Sequence, residues 1–389
     1  MSETGKLRIM QVIPSLLKGG AERLVLDICR QLHNRSDVEY LLVTFREDTA
    51  YEFLHQDLHH QIVHAEVMPS ITSKGISNIY EFIHVIEKFK PDVIHSHLFE
   101  AEMVSREKIF PNVLYVTHLH DNMPQFRNIK PGMLNKKMIT NYYEKRRILK
   151  KYKQCRNHFI AISHDTYDYF KECLPSELHQ ISLMANAIDN SRFSKLENRP
   201  ITEKRLELVS TGSLYPKKNQ AFLTDVVEML VKSGIDTHLT LLGEGPERKK
   251  IEEKIKQQNL QAHITLKGNV DHVEDYLEDA SIYVHAAWYE PYGLALLEAM
   301  AAGLPCIALD GKGNRDVMVE GENGYLIPQA DPALFADKIQ LLLDQEGLYD
   351  KISNAARAFA WSKDISKYTE QLLELYKEER QKREFLPAF

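Results

Sequence analysis

The chain has 389 residues, 43% of them hydrophobic and 27% charged, with a formal net charge of -6. That length exceeds one ordinary core and fits two domains of under about 200 residues each. The acid surplus argues against a dedicated nucleic-acid binder, and no run approaches the roughly 18 to 20 apolar residues of a membrane span.

Met1–Lys6 is polar, and the apolar run Leu7–Pro14 is too short for a secretory h-region, so no signal peptide is expected. Leu7–Ile13 reads as a buried strand. The Lys18-Gly19-Gly20 turn follows, then a helix over Glu22–His33 whose Leu24, Val25, Ile28 and Leu32 share one face. Further strands are expected at Tyr40–Phe45, Ile62–Val67, Val93–His97, Val113–Leu119 and Phe159–Ser163, with helices near Ile76–Lys90, Leu134–Lys153 and His164–Leu174. The polar, aperiodic stretch Leu196–Thr202 reads as a linker. Beyond it, strands are expected at Leu206–Thr211, His238–Leu242, Ile264–Lys267, Ile282–Ala286, Cys306–Leu309 and Tyr325–Ile327. Helices fall near Gln220–Val231, Pro246–Gln258, Tyr292–Ala302 and Pro332–Leu343, and Ile365–Arg383 reads as one long charged amphipathic helix. Strands alternating with helices imply βαβ units and parallel sheets. The expected class is α/β, with two doubly wound domains, 1–195 and 200–365, facing a central cleft and a helix of 366–389 packing back on the first. Ligands of such sheets bind outside the carboxyl ends of the strands. Cys29, Cys155, Cys173 and Cys306 form no CxxC pair and read as reduced thiols of a cytosolic protein.

The stretch Trp288–Gly303, WYEPYGLALLEAMAAG, carries the most chemistry. Glu290 falls in a loop after a strand, Pro291 suits a helix start, and Gly293 lets backbone approach a ligand. Glu298 then falls in the second helical turn. A helix start offers free N–H groups to a phosphate, and carboxylates accept from vicinal sugar or ribose hydroxyls. The Gly19-Gly20 pair also sits between strand and helix, where backbone can cradle phosphate. Gly243-Glu244-Gly245-Pro246 half-resembles a dinucleotide loop, but Arg248 stands where its third glycine would fall, which argues against NAD. His95 and His97 end one strand, and His118 and His120 the next, so each pair shares a face. A metal reading lacks a cysteine or acid cluster to complete it, and no metal site is expected. A basic run from Lys130 to Arg156 interleaves with Tyr142, Tyr143, Ile148 and Leu149. It reads either as a solvated helix face or as a contact for an anionic membrane surface or pyrophosphate-lipid acceptor.

Glu290-Pro291-Tyr292-Gly293, followed by Glu298-Ala299-Met300-Ala301-Ala302-Gly303-Leu304-Pro305, resembles the signature of the family 4 retaining glycosyltransferases (glycosyltransferase group 1), whose fold is GT-B, a pair of Rossmann-like domains. Ala286-Ala287 stand where that family commonly has Pro-Ser. The resemblance runs along nearly the whole chain. Lys18-Gly19-Gly20-Ala21-Glu22 is similar to the family's G-G-x-E loop, and Asn186-Ala187-Ile188-Asp189 to its N-G-V-D. Gly212-Ser213-Leu214 with Lys218-Asn219 resembles G-R-L-x-x-x-K-N, with Ser213 in place of the Arg of the family's cationic clamp and Lys217 or Arg315 as candidate substitutes. His120-Asp121 aligns with T-x-H-D, and Thr117-His118 is a rival alignment.

The resemblance implies a metal-independent, retaining hexosyl transfer from a nucleotide-sugar donor to a saccharide or lipid-linked acceptor in cell-surface polysaccharide synthesis. No cofactor and no nucleic acid are implied. The enzyme would be cytoplasmic, peripheral at the inner membrane face through 130–156. It places Glu290 on the donor sugar and Glu298 on the ribose. His120, Glu290 and Lys218 become the candidate catalytic residues. Gly19, Gly20, Gly212, Ser213, Lys218, Asn219, Glu290, Tyr292, Gly293, Leu294 and Glu298 become the donor-binding set, and His97, His118 and Asp121 the acceptor side. A disaccharide phosphorylase or synthase of the same fold, or a non-catalytic nucleotide-sugar-binding partner of a transferase, are the rival readings.

Overall fold

The computed structural model describes residues 5–51, 55–68, 75–127, 135–194 and 205–384. The expected linker at 196–202 and Lys130 of the basic run lie outside these residues. The chain divides into two compact units, Met1–Asn186 with Ile365–Phe389, and Ala187–Asp364.

The first unit contains β1 (Leu7–Val12), β2 (Val38–Thr44), β3 (His60–Ile62), β4 (Glu66–Met68), β5 (Ile76–Asn78), β6 (Val93–His97), β7 (Leu114–Leu119), β8 (Asn157–Ala161) and β9 (Ile181–Leu183). Seven of these form one parallel sheet in the order β3-β2-β1-β6-β7-β8-β9. The second unit contains β10 (Leu206–Thr211), β11 (Thr237–Leu242), β12 (Ile264–Gly268), β13 (Ile282–His285), β14 (Cys306–Leu309) and β15 (Tyr325–Ile327), in the order β12-β11-β10-β13-β14-β15. In each sheet the order reverses beside the first strand, between β1 and β6 and between β10 and β13. That reversal opens the crevice at which doubly wound sheets bind ligands. Central strands are covered on both faces, so they read as near-continuous apolar runs: Ile9, Met10, Val12, Ile282, Tyr283 and Val284 are all fully buried.

The expected strand at Ile62–Val67 is divided. Its start closes the edge of the large sheet as β3, and its end pairs antiparallel with β5 as the separate strand β4. The helix expected from Ile76 therefore begins only at Tyr80. Helices Leu98–Ser105 and Leu348–Ser362 were not expected. In the first, five of eight residues are buried, including Glu102, and an element apolar on most sides shows no periodic stripe. The expected boundary at 195 also shifts. Residues from Ala187 onward belong to the second unit, because Ile188 N–H bonds to the Lys363 carbonyl and Asn190 Nδ2 reaches Asp364. The last helix, Ile365–Glu384, belongs to the first unit and packs against helix Gly20–His33 with Leu372, Leu373 and Tyr376 buried. All four cysteines are free thiols. Among the described residues no helix is long and apolar enough to cross a membrane.

Candidate active site

In the second unit the candidate residues gather at the β10–β13 reversal. β10 runs into Gly212, whose φ of +143° and neighbour Gly243 let two loops touch; a Cβ at Gly243 would lie 2.1 Å from the Gly212 carbonyl oxygen. The following turn, Pro216–Lys218, ends at Asn219 in the left-handed conformation, which starts helix Gln220–Lys232. Trp288 N–H bonds to the Lys217 carbonyl at 2.9 Å and thereby draws the Glu290 loop against this turn. The backbone of Glu290 is clamped in turn by Gly311 and Gly313, at 2.9 and 3.0 Å. Only glycine suits residue 313, since a Cβ there would meet the Pro291 carbonyl oxygen at 2.2 Å.

These backbone contacts bring Lys218 Nζ onto Glu290 Oε2 in an ion pair, and His285 Nε2 lies 3.3 Å from the same oxygen. Burial raises the Glu290 carboxyl, but the Lys218 charge and the His285 hydrogen bond outweigh it and push the group down to about 2. Glu290 is therefore a carboxylate at any ordinary pH. Gly293, at φ +90°, starts helix Leu294–Ala301 beside it. On that helix Glu298 Oε1 accepts from Arg192 Nη1 at 2.7 Å, while Arg192 Nη2 reaches Glu274 at 3.0 Å. Tyr292 is buried, with its hydroxyl lacking a hydrogen-bond partner, as does Asn219 Nδ2. Ser213 is exposed, so it brings no charge and little enclosure to the position of the missing arginine. Arg315 pairs with Asp310 and is largely exposed.

In the first unit the Gly19-Gly20 pair starts helix Gly20–His33, and the Tyr51 hydroxyl bridges the Gly19 N–H and carbonyl at 3.2 Å each. At the β1–β6 reversal lie His95, His97, His118 and His120, which form a stacked layer with neighbouring ring centroids 4.1 to 5.1 Å apart. Burial holds all four neutral, and His120 is pushed down to about 3. His97 donates to or accepts from Gln11 and His120, each at 2.8 Å. The last helix covers the layer with Tyr376 on His95 and Tyr368 on His118. His97 and His118 are fully buried, which corrects their placement on the acceptor side: they form the support beneath His120, which keeps 8% exposure at the strand end, next to half-exposed Asp121. Ring nitrogens of His95, His97 and His118 lie within 4.8 Å of one another. Both His97 nitrogens are already committed to hydrogen bonds, so a cation there would have to displace one of them.

Behind the sheet, the alternating residues Ser96 and Thr117 bond to Arg106, which also pairs with Glu102 at 3.1 Å; both charged side chains are fully buried. Sequence reasoning missed His285, Arg192, Gln11, Tyr368 and Tyr376. The only sequence signal for the first two was position: His285 ends a strand just before Ala286-Ala287, and Arg192 follows the N-A-I-D stretch.

The two parallel-sheet units have the GT-B fold of glycosyltransferases. The family model for Glycosyltransferase Family 4 matches residues 18–192, and that for Glycosyl transferases group 1 matches residues 191–359. The chain belongs to the family 4, group 1 glycosyltransferases. It is 34% identical over 194 residues to the poly(ribitol-phosphate) alpha-N-acetylglucosaminyltransferase of Staphylococcus aureus, a match spanning 49% of this chain and 38% of that one. It is 26% identical to the putative glycosyltransferase EpsF of Bacillus subtilis over 78% of this chain and 79% of that one. The crystal structure of Anabaena HepE in complex with UDP-glucose shares the fold, with a TM-score of 0.77 at 18% identity, covering 96% of this chain and 100% of that one.

Proposed function

We propose that the protein is a retaining glycosyltransferase that moves a sugar from a nucleotide-sugar donor to a saccharide or lipid-linked acceptor in cell-surface polysaccharide synthesis. The observation that carries this reading is the cluster of Lys218, Glu290 and His285 beside the Gly293 helix start. On donor binding Lys218 turns from Glu290 to the diphosphate, where a charge-assisted hydrogen bond replaces the ion pair. Helix N–H groups add to it. Glu290 then accepts from hydroxyls of the donor sugar, and Glu298, held by Arg192, accepts from the ribose. The acceptor oxygen attacks the anomeric carbon on the face from which the diphosphate leaves. The departing phosphate oxygen takes the acceptor's proton, so configuration is retained and no protein nucleophile is needed. Stabilising the leaving group supplies most of the rate. No divalent metal is required in this scheme, because Lys218 and the helix start offset much of the charge that develops on the leaving diphosphate.

UDP-sugars are the first donors to test, given the UDP-glucose complex of the HepE structure. Calorimetry against UDP-, GDP- and ADP-sugars should find one that binds wild type and binds Lys218→Ala far less. Equal affinity of the two proteins would place the diphosphate elsewhere. Transfer should survive EDTA; its loss, with recovery on adding zinc or manganese, would remove the metal-independent scheme. Peripheral membrane contact belongs to the same reading. On helix Lys136–Tyr152, Ile139, Tyr142, Tyr143, Arg146 and Lys150 are all exposed and share one face. Arg147 and Lys151 instead pair with Glu107.

A further inference from the structure

The histidine layer contains a hydrogen-bond chain with a direction. His97 Nε2 lies 2.8 Å from Gln11 Oε1, and His97 Nδ1 lies 2.8 Å from His120 Nε2. A carboxamide oxygen only accepts, so His97 carries its proton on Nε2. A neutral imidazole then has its lone pair on Nδ1, and His120 must donate to it from Nε2. The lone pair of His120 is thereby left on Nδ1. On its other side Gln11 Nε2 donates to the Tyr376 hydroxyl at 3.4 Å, and that hydroxyl lies 2.6 Å from His95 Nδ1. Reversing the amide would require Tyr376 and His97 to reverse with it. Every member of this chain but His120 is fully buried, so water does not compete for these bonds.

We propose that Gln11 is a positioning residue that, through His97, sets the tautomer of His120 and so makes Nδ1 of His120 a hydrogen-bond acceptor for a sugar hydroxyl. This rests on the reading of His120 as a catalytic residue beside the acceptor-side Asp121. An accepting Nδ1 takes the O–H of a sugar hydroxyl beside the attacking one and so orients the sugar, while the attacking hydroxyl keeps its own O–H for the departing phosphate oxygen. The opposite tautomer would leave that neighbouring hydroxyl's proton without this acceptor. His120 takes no proton in the step. Burial of the ring, which holds it far below the usual imidazole range, fits that role.

Long-range proton–nitrogen correlation spectra of the full chain, labelled with 15N-histidine, read each ring's tautomer. His120, assigned by its loss in His120→Gln, should be Nε2–H in wild type. It should remain so in Gln11→Glu, where an oxygen still faces His97. Gln11→Met removes the acceptor and should give a mixture of tautomers, with kcat lowered about two- to ten-fold and KM little changed. His120 found as Nδ1–H in wild type overturns the proposal, and so does a single unchanged tautomer in Gln11→Met. The wild-type spectrum decides the matter even where the Met variant does not fold. Transfer by His120→Gln separately tests whether His120 meets substrate, so the tautomer relay and the acceptor reading fail on different measurements.

Discussion

At its strand reversal the first unit buries four imidazoles, Gln11 and two tyrosine hydroxyls, with the rings held neutral. At the matching point the second unit sets Lys218 on Glu290 and Arg192 on Glu298, pairs whose side chains keep 12% to 17% exposure. The contrast follows from the cost of burying charge. Neutral groups tolerate complete burial when their hydrogen bonds are satisfied. Ions need an opposite charge close by and gain from some contact with solvent. A neutral layer is accordingly a scaffold, with partners it keeps. A charged pair at a helix start is able to exchange its partner for a ligand of the same sign, as a diphosphate would replace Glu290 on Lys218.

Acid should separate the two units most strongly. The four layer histidines have folded pKa values lowered from the ordinary 6.5. Below that pH the unfolded chain binds protons that the folded unit refuses. The first unit is therefore fully stable above pH 6.5 and loses about 1.4 kcal/mol per pH unit for each such ring on acidification. Glu290, lowered to about 2, contributes stability that is full above its ordinary 4.5 and is lost only as pH falls towards 2. Trp288 and Trp361 both lie in the second unit. Far-UV circular dichroism should thus begin to fall at a higher pH than the tryptophan emission changes. Coincident acid transitions would contradict the assignment of the histidines as the weak point.

Arg106→Met sharpens the comparison from behind the sheet. It leaves Glu102 buried without its partner and should cost about 3 to 5 kcal/mol in urea unfolding. Adding Glu102→Leu should restore most of that loss. A double variant as unstable as the single one would mean that Arg106 acts through packing against Tyr115 and Tyr152.

Lys218→Ala should cost less in stability than in function. Loss of a charged hydrogen bond to the diphosphate removes about 1.5 to 3 kcal/mol of donor binding. Lys217→Ala, on an exposed side chain, should remove much less. Equal effects in calorimetry would move the clamp off Lys218. Glu290→Gln should mainly lower turnover, and Glu298→Gln should weaken binding of the free nucleoside diphosphate as well; the reverse pattern would exchange their roles.

The smallest effect lies on the exposed face of helix Lys136–Tyr152. Each basic side chain near an anionic leaflet contributes about 1 kcal/mol. Replacing Arg146 and Lys150 with Gln should weaken sedimentation with phosphatidylserine vesicles roughly ten-fold or more at low salt. Donor affinity should not change. Binding that ignores both the substitutions and added salt would rule out this face as the contact.

Much of the fold was legible in the order of residues, because period and turn chemistry are local. The alternation of apolar runs with amphipathic stretches announced two parallel sheets, and the Glu290–Glu298 spacing announced a loop followed by a helix. What failed to show had identifiable causes. Leu98–Ser105 has no polar stripe because most of it is buried. Ile62–Val67 looked like one strand because its pattern cannot show that its two ends join different sheets. His97 and His118 looked like site residues because alternation along a strand gives the face but not the depth. Only once the last helix has covered the layer do three fully buried histidines separate from His120, which keeps 8% exposure.

By itself the sequence determined which side chains were chemically able to serve: the carboxylates of Glu290 and Glu298, Lys218, and imidazoles at two strand ends. Only the tertiary structure decided who meets whom. Lys218 reaches Glu290 across 72 residues, Arg192 reaches Glu298 across 106, His97 reaches Gln11 across 86, and Tyr376 reaches His95 across 281. Spacing along a chain reports geometry over one or two turns. Such pairs are instead set by strand register and by the packing of helices onto the sheet, and partner, burial and proton position all follow from that packing.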